Sequence, residues 1–140
     1  MKRKDVEMMK KREVCWLITT RCNQKCAYCH GFRNIPELSY EENEEVLSKL
    51  IRAGVNYITF SGGEALLYPN ILDLLKIARQ NGVKSKLITN GSLIANSEKV
   101  REIVDYLDTI TLSLDTTRDE INEQMGRGRN HFAEIKKVLD

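Results

Sequence analysis

Asn56-Tyr57-Ile58-Thr59-Phe60-Ser61-Gly62-Gly63-Glu64 is an apolar, β-branched and aromatic run that stops on two glycines and an acid, and its pattern is repeated along the chain. Asn56 to Phe60 reads as a strand, because such residues suit a pleated, half-buried surface. Upstream, Ser39-Tyr40-Glu41-Glu42 is a capping box opening a helix with Val46, Leu47, Leu50 and Ile51 on one face and Gly54 placed to stop it. Downstream, Pro69 sits at a first helical position, Ile71, Leu74, Leu75 and Ala78 face inward, and Gly82 ends the helix. Val14 to Thr19 reads as an earlier strand, Lys86-Leu87-Ile88 as a third and Thr109 to Leu114 as a fourth. Ser97 is placed to cap a helix carrying Val100, Ile103, Val104 and Leu107; Thr117 and Glu120 suit a second capping box. A last helix begins near Asn130 with Phe132, Ile135, Val138 and Leu139 at helical spacing. Strands alternating with helices predict an α/β fold with parallel strands and right-handed crossovers.

On that skeleton each unusual cluster falls just past the carboxyl end of a strand. Three cysteines follow the first strand, Ser61-Gly62-Gly63-Glu64 the second and Thr89-Asn90-Gly91 the third, while Ser113-Leu114-Asp115 closes the fourth. In a β/α barrel these loops open on one face, where the chemistry is built.

The cysteines lie in Cys22-Asn23-Gln24-Lys25-Cys26-Ala27-Tyr28-Cys29. A cubane [4Fe–4S] cluster takes four ligands. Three thiolates on one loop leave one iron open, and an open position distinguishes a chemical metal site from a closed structural one. Other readings compete. Cys26-Ala-Tyr-Cys29-His30 matches C-x-x-C-H, the signature of covalent haem attachment, which leaves Cys22 unexplained. A zinc site needs a fourth ligand, and Cys15 lies up to roughly 20 Å away along a strand at about 3.3 Å per residue. His30 follows Cys29 directly and is poorly placed to share its metal. Cys15, between Val14 and Trp16, reads as a small buried hydrophobe.

C-x-x-x-C-x-x-C with an aromatic residue before the last cysteine resembles the motif of the radical S-adenosylmethionine (radical SAM) superfamily. The resemblance covers the amino-terminal four βα units of a core that is a partial (β/α) barrel of six. It implies that Cys22, Cys26 and Cys29 hold a [4Fe–4S] cluster whose open iron chelates S-adenosylmethionine. An electron then breaks the sulfonium C–S bond, and a 5′-deoxyadenosyl radical takes a hydrogen atom from the substrate. Gly62, Gly63 and Glu64 resemble the family's GGE motif, which contacts the methionyl amino group; read alone, two glycines let a backbone approach closely and a glutamate accepts from an ammonium group. Thr89 and Asn90 resemble a T-N-G rim segment, with an ordinary turn as the alternative. By resemblance Ser113 and Asp115 reach the ribose, Tyr28 packs by the adenine, and Arg127 pairs with the cofactor carboxylate, for which a guanidinium's two parallel hydrogen bonds suit it. A solvated basic turn is the other reading of Arg127 and Arg129.

With 140 residues, net charge +2 and 41% hydrophobic residues, the chain reads as a cytoplasmic protein with no membrane span and no nucleic-acid arm. Residues 1–12 form a basic tail broken by Asp5 and Glu7, residues 13–140 an incomplete core domain, and Gly31 to Leu38 a loop long enough to cover a cluster. A barrel unit takes roughly 31 residues, so four units nearly exhaust the chain. The expectation is a piece of a longer enzyme, part of a split enzyme completed by another polypeptide, or a protomer that self-associates at the open edge of the fourth strand. Its partners would be an external electron donor and a peptide, nucleotide or small-metabolite substrate. The alternative class is a non-catalytic iron–sulfur or metal-binding interaction module.

Overall fold

The computed structural model describes residues 10–31 and 35–140; residues 1–9 of the basic tail and 32–34 of the Gly31–Leu38 loop lie outside the described residues. Strands β1 (Glu13–Thr19), β2 (Tyr57–Gly62), β3 (Lys84–Thr89) and β4 (Thr109–Leu112) form one sheet in the order β1-β2-β3-β4, every neighbouring pair parallel. Parallel neighbours need a crossover. Helices α1 (Tyr40–Arg52) and α2 (Ile71–Gln80) supply the first two, with a 3-10 turn over Ala65–Leu67 before α2. The third runs through α3 (Ser92–Asn96), α4 (Glu98–Arg101) and a 3-10 stretch over Glu102–Tyr106. Helices α5 (Asp119–Gln124) and α6 (His131–Leu139) follow β4. The sheet is open, with β1 and β4 as its edges.

Alternation along the strands decides which face the helices cover. Ile18, Ile58, Phe60 and Leu87 pack with Leu47 of α1 and Leu74, Leu75 and Ala78 of α2 in one core, and Trp16 stacks on Phe60 at 5.8 Å between ring centres. Leu47, Leu74 and Leu75 have no exposed surface; burying each contributes about 1.5–3 kcal/mol. Cys15 has the opposite parity to Trp16 and is exposed, which corrects the expectation of a buried hydrophobe: an apolar stretch on an edge strand still sends alternate side chains away from the core.

The capping box at α1 is present, with Ser39 Oγ accepting from the Glu42 N–H at 3.2 Å and Glu42 Oε2 from the Ser39 N–H at 2.8 Å. Two other caps differ from the reading. Ser97 makes no side-chain cap bond, and its helix passes into 3-10 geometry after one turn. At α5 the position before the helix is Arg118, and Thr116 rather than Thr117 turns the chain, its Oγ1 accepting from the Arg118 N–H at 3.2 Å. Strand β4 ends at Leu112. The carboxyl end of the basic tail is tied to the fold, since the Arg12 N–H donates to Asn56 Oδ1 at 2.9 Å and its carbonyl accepts from the Asn56 N–H at 3.1 Å.

Candidate cofactor and metal site

The cysteine loop leaves β1 and is first gripped by the turn that leaves β2. The Gly63 N–H donates to the Thr19 carbonyl at 2.8 Å, and the Glu64 N–H to the Arg21 carbonyl at 2.7 Å. A Cβ on Gly62 would stand 2.3 Å from Thr19 O, and one on Gly63 2.2 Å from Arg21 O. What comes close to these glycines is therefore the chain's own backbone, and any side chain there would push the loop root off the sheet.

Glu64 is almost fully buried, at 1% exposure. Oε1 accepts from Thr89 Oγ1 at 2.8 Å and the Leu66 N–H at 3.2 Å, and Oε2 from the Asn90 N–H at 2.8 Å. Burial pushes this carboxyl up, and the bonds from Asn90, Thr89 and Leu66 pull it back only in part. A carboxylate offers about four lone-pair sites, so three bonds leave Glu64 one. Thr89 and Asn90 thus hold Glu64. Asn90 also reaches the cysteine loop, donating from Nδ2 to Asn23 Oδ1 at 2.8 Å, while Asn23 Nδ2 donates to Ser92 Oγ at 2.7 Å.

The other half of the loop is gripped from beyond α5. The Lys25 N–H donates to the Gly126 carbonyl at 3.1 Å and the Ala27 N–H to the Met125 carbonyl at 2.9 Å. Gly126 has φ +85°, and a Cβ on it would lie 2.1 Å from Lys25 O. Next to it, Arg127 donates from Nε to Asp115, from Nη1 to Gln24 Oε1 at 3.1 Å and from Nη2 to the Tyr28 hydroxyl at 2.6 Å. Tyr28 also donates to Asp115. Burial raises the Asp115 carboxyl, but the Arg127 and Tyr28 hydrogen bonds outweigh it and hold the group below the ordinary aspartate range. Burial and the bond to Asp115 push the Tyr28 phenol up to about 12. Arg127, at 10% side-chain exposure, is thus no solvated turn residue; Arg129 is, at 76%, paired with Glu123 at 3.0 Å. Ser113 meets the site through its carbonyl, 2.8 Å from His131 Nε2.

The three cysteines are unpaired, Cys22 and Cys29 exposed and Cys26 half-buried. The Gln24 N–H points at Cys22 Sγ, 3.4 Å away, and the Gly31 N–H at Cys29 Sγ, 3.3 Å away. Such donors stabilise charge on ligating sulfur. Burial pushes the Cys22 thiol up despite the Gln24 bond. Among the described residues no three His, Cys, Asp or Glu side chains converge on one point, the arrangement a single zinc ion asks for. A cubane asks each thiolate for a separate iron, and three free thiols on one loop, two of them facing backbone N–H donors, fit that demand.

These contacts join the cysteine loop to Gly62, Gly63, Glu64, Thr89, Asn90, Asp115 and Arg127, and to Ser113 only through its carbonyl, while Cys15 and Arg129 stand apart. Asn23, Gln24, Ser92 and His131 were not foreseen; the only signal for the first two was two amides between cysteines, where a surface loop would equally carry charge.

The family model described as the Radical SAM superfamily matches residues 16–140. The S-adenosylmethionine-dependent nucleotide dehydratase of Lacinutrix mariniflava is 36% identical over 114 residues, which are 76% of this chain and 24% of that protein. The GTP 3′,8-cyclase of Chlorobaculum tepidum is 32% identical over 127 residues, 88% of this chain and 38% of that protein. Streptococcus suis SuiB, in its crystal structure with the precursor peptide SuiA, superposes with a TM-score of 0.74 at 26% identity over 91% of this chain and 29% of that one. The chain therefore spans between 24% and 38% of the length of these two curated relatives.

Proposed function

Because the chain belongs to the radical SAM superfamily, whose cofactors are a [4Fe–4S] cluster and S-adenosylmethionine, we propose that it is the catalytic amino-terminal portion of a radical SAM enzyme, with Cys22, Cys26 and Cys29 as the cluster ligands. The observation that carries the reading is the double grip on the cysteine loop, held at its root by Gly63 and Glu64 and at its far half by Gly126 and Arg127. Two grips fix three thiols on a rim built from the carboxyl ends of four parallel strands. Held by Cys22, Cys26 and Cys29, a [4Fe–4S] cluster would supply the one-electron chemistry for reductive cleavage of S-adenosylmethionine and, through it, hydrogen abstraction from a substrate.

The chain's own residues bind and orient. Gly62 and Gly63 present backbone without side chains, and Glu64 keeps one lone pair for the methionyl ammonium group while Thr89 and Asn90 hold it in place. Arg127 spends three of its five N–H donors on Asp115, Gln24 and Tyr28 and keeps the others for the cofactor carboxylate. Ser113 and Asp115 serve the ribose, and Tyr28, 45% exposed, offers its ring and backbone to the adenine. An external donor supplies electrons, and reduced thiols suit the cytoplasm. The substrate is a peptide, a nucleotide or a small metabolite, and its turnover needs protein beyond these four units or a completing chain at the open edge. No helix of the described residues is long and apolar enough to cross a membrane.

Anaerobic reconstitution tests the reading. Expected are about four irons and four sulfides per chain, an electron paramagnetic resonance signal that changes on adding S-adenosylmethionine, and 5′-deoxyadenosine release under reductant. A chain that binds no iron, or a cluster signal indifferent to S-adenosylmethionine, overturns it; the second outcome points to the non-catalytic module.

A further inference from the structure

His131, the first residue of α6, is a histidine at 1% exposure that the reading above leaves without a task. Its ring spans two parts of the rim. Nε2 lies 2.8 Å from the Ser113 carbonyl oxygen, which can only accept, so in the neutral ring the proton sits on Nε2 and Nδ1 is left as an acceptor. Gln24 of the cysteine loop meets that acceptor with Nε2 at 3.4 Å. The same Nε2 donates to the Arg127 carbonyl at 2.9 Å, and Gln24 Oε1 accepts from Arg127 Nη1 at 3.1 Å. Turning the carboxamide over would set its oxygen against two acceptors and its NH2 against a guanidinium N–H. Three partners therefore agree on one orientation.

That orientation has a consequence at the nearest cysteine. Gln24 Oε1 lies 3.9 Å from Cys26 Sγ and accepts from it while the sulfur is a thiol. A sulfur that holds metal is a thiolate with no proton to give, so the negative end of the amide dipole then faces it. Cys22 and Cys29 instead face backbone N–H groups. Hydrogen bonds to ligand sulfurs help set the reduction potential of a cluster: donors ease the added electron, and an oxygen facing sulfur opposes it.

We infer that His131 and Gln24 are positioning residues for the cysteine loop, which together turn the oxygen of the Gln24 carboxamide toward Cys26 and hold the bound cluster at a lower reduction potential. The inference rests on the cluster reading above. Without His131 Nδ1 the amide loses one of the partners that orient it, and its NH2 can swing toward the sulfur.

The test is the midpoint potential of the reconstituted chain, compared among variants matched for iron and sulfide content. Expected are a shift to more positive potential in Gln24→Leu, to more negative potential in Gln24→Glu, and to more positive potential in His131→Leu. His131→Asn, whose side-chain oxygen can still accept from Gln24, should stay close to the parent. His131→Leu should add nothing in a Gln24→Leu background. Shifts of the same sign in the two Gln24 variants, or a His131→Leu shift that survives in the Gln24→Leu background, overturn the inference. Should His131→Leu fail to fold, the Gln24 pair decides, since Gln24 lies on a half-exposed loop. Failure of the parent chain to take up iron strikes the cluster reading instead; the ring 15N shifts of His131 in the cluster-free chain then decide this geometry, with a proton on Nε2 expected and a proton on Nδ1 overturning it.

Discussion

The two grips on the cysteine loop are built differently. At the root, β2 continues past its last strand residue and bonds Thr19 and Arg21 with its own backbone, so the contact extends a parallel pairing that β1 and β2 already make. At the far half, the partners lie about a hundred positions away, and the grip mixes two backbone bonds with the guanidinium of Arg127 and the amide of Gln24. Strand pairing explains the first grip almost alone. The second exists only because α5 and α6 return the chain to the rim, and that makes it the easier one to break without disturbing the sheet.

The heaviest blow to the far grip is Gly126→Ala. A methyl group there meets Lys25 O at 2.1 Å and the residue has φ +85°, so overpacking and left-handed strain together cost about 2–5 kcal/mol. Gly128→Ala, with φ +101° and no atom within 4 Å of the new methyl, pays only the strain, about 1–2 kcal/mol. Urea unfolding of both variants checks the difference; equal losses would show that the close approach to Lys25 is unimportant.

Arg127→Met comes next. The Arg127–Asp115 pair has 10% and 30% side-chain exposure, so screening trims the loss expected for a fully buried pair to about 2 kcal/mol. Arg129→Met removes a pair at 76% and 50% exposure and should change stability by less than about 0.5 kcal/mol. A matching loss in both variants would return Arg127 to the solvated turn.

Glu64→Gln probes the root at a lower cost. The amide offers one oxygen where the carboxylate served Thr89, Leu66 and Asn90, leaving a buried N–H unpaired for about 1–2 kcal/mol. Retained iron binding with weakened S-adenosylmethionine affinity is the expected pattern, read by equilibrium titration; loss of iron with unchanged affinity would count against its place beside the methionyl group.

The smallest effect is set by pH. The folded Asp115 carboxyl lies below its unfolded value, so its contribution is fully present above the ordinary aspartate pKa near 3.9 and is lost as pH falls through the lower folded value. Asp115→Asn should therefore flatten the acid limb of the stability curve below about pH 4 and leave its shape near neutrality intact. A change of slope between pH 6 and 8 would contradict this assignment.

Much of this was legible in the residues. Apolar, β-branched runs marked the four strands and period-3.6 patterns the principal helices, because a pleated sheet and a half-buried helix favour them whatever the partner. The capping box at Ser39 was legible because donor and acceptor lie three residues apart. Ser97 and Thr117 carry the same residue types, yet the cap bonds do not form: short helices take their ends from packing, and a hydroxyl's affinity for a nearby N–H is easily outcompeted. Cys15 misled because its apolar neighbours Val14 and Trp16 suggest a strand buried on both faces, which an edge strand in an open sheet does not provide.

By itself the sequence determined the alternating α/β order and the placing of each polar cluster just beyond a strand, including three thiols on one loop, because these follow from local periodicity and spacing. Only the tertiary structure decided that Gly62, Gly63 and Gly126 make room for backbone, that Arg127 closes on Asp115, Tyr28 and Gln24, and that His131 bridges Ser113 to the cysteine loop. Those pairings join residues far apart in the chain. A polar side chain specifies only that it needs a donor or an acceptor, and which one it finds depends on what the packed helices bring within about 3 Å.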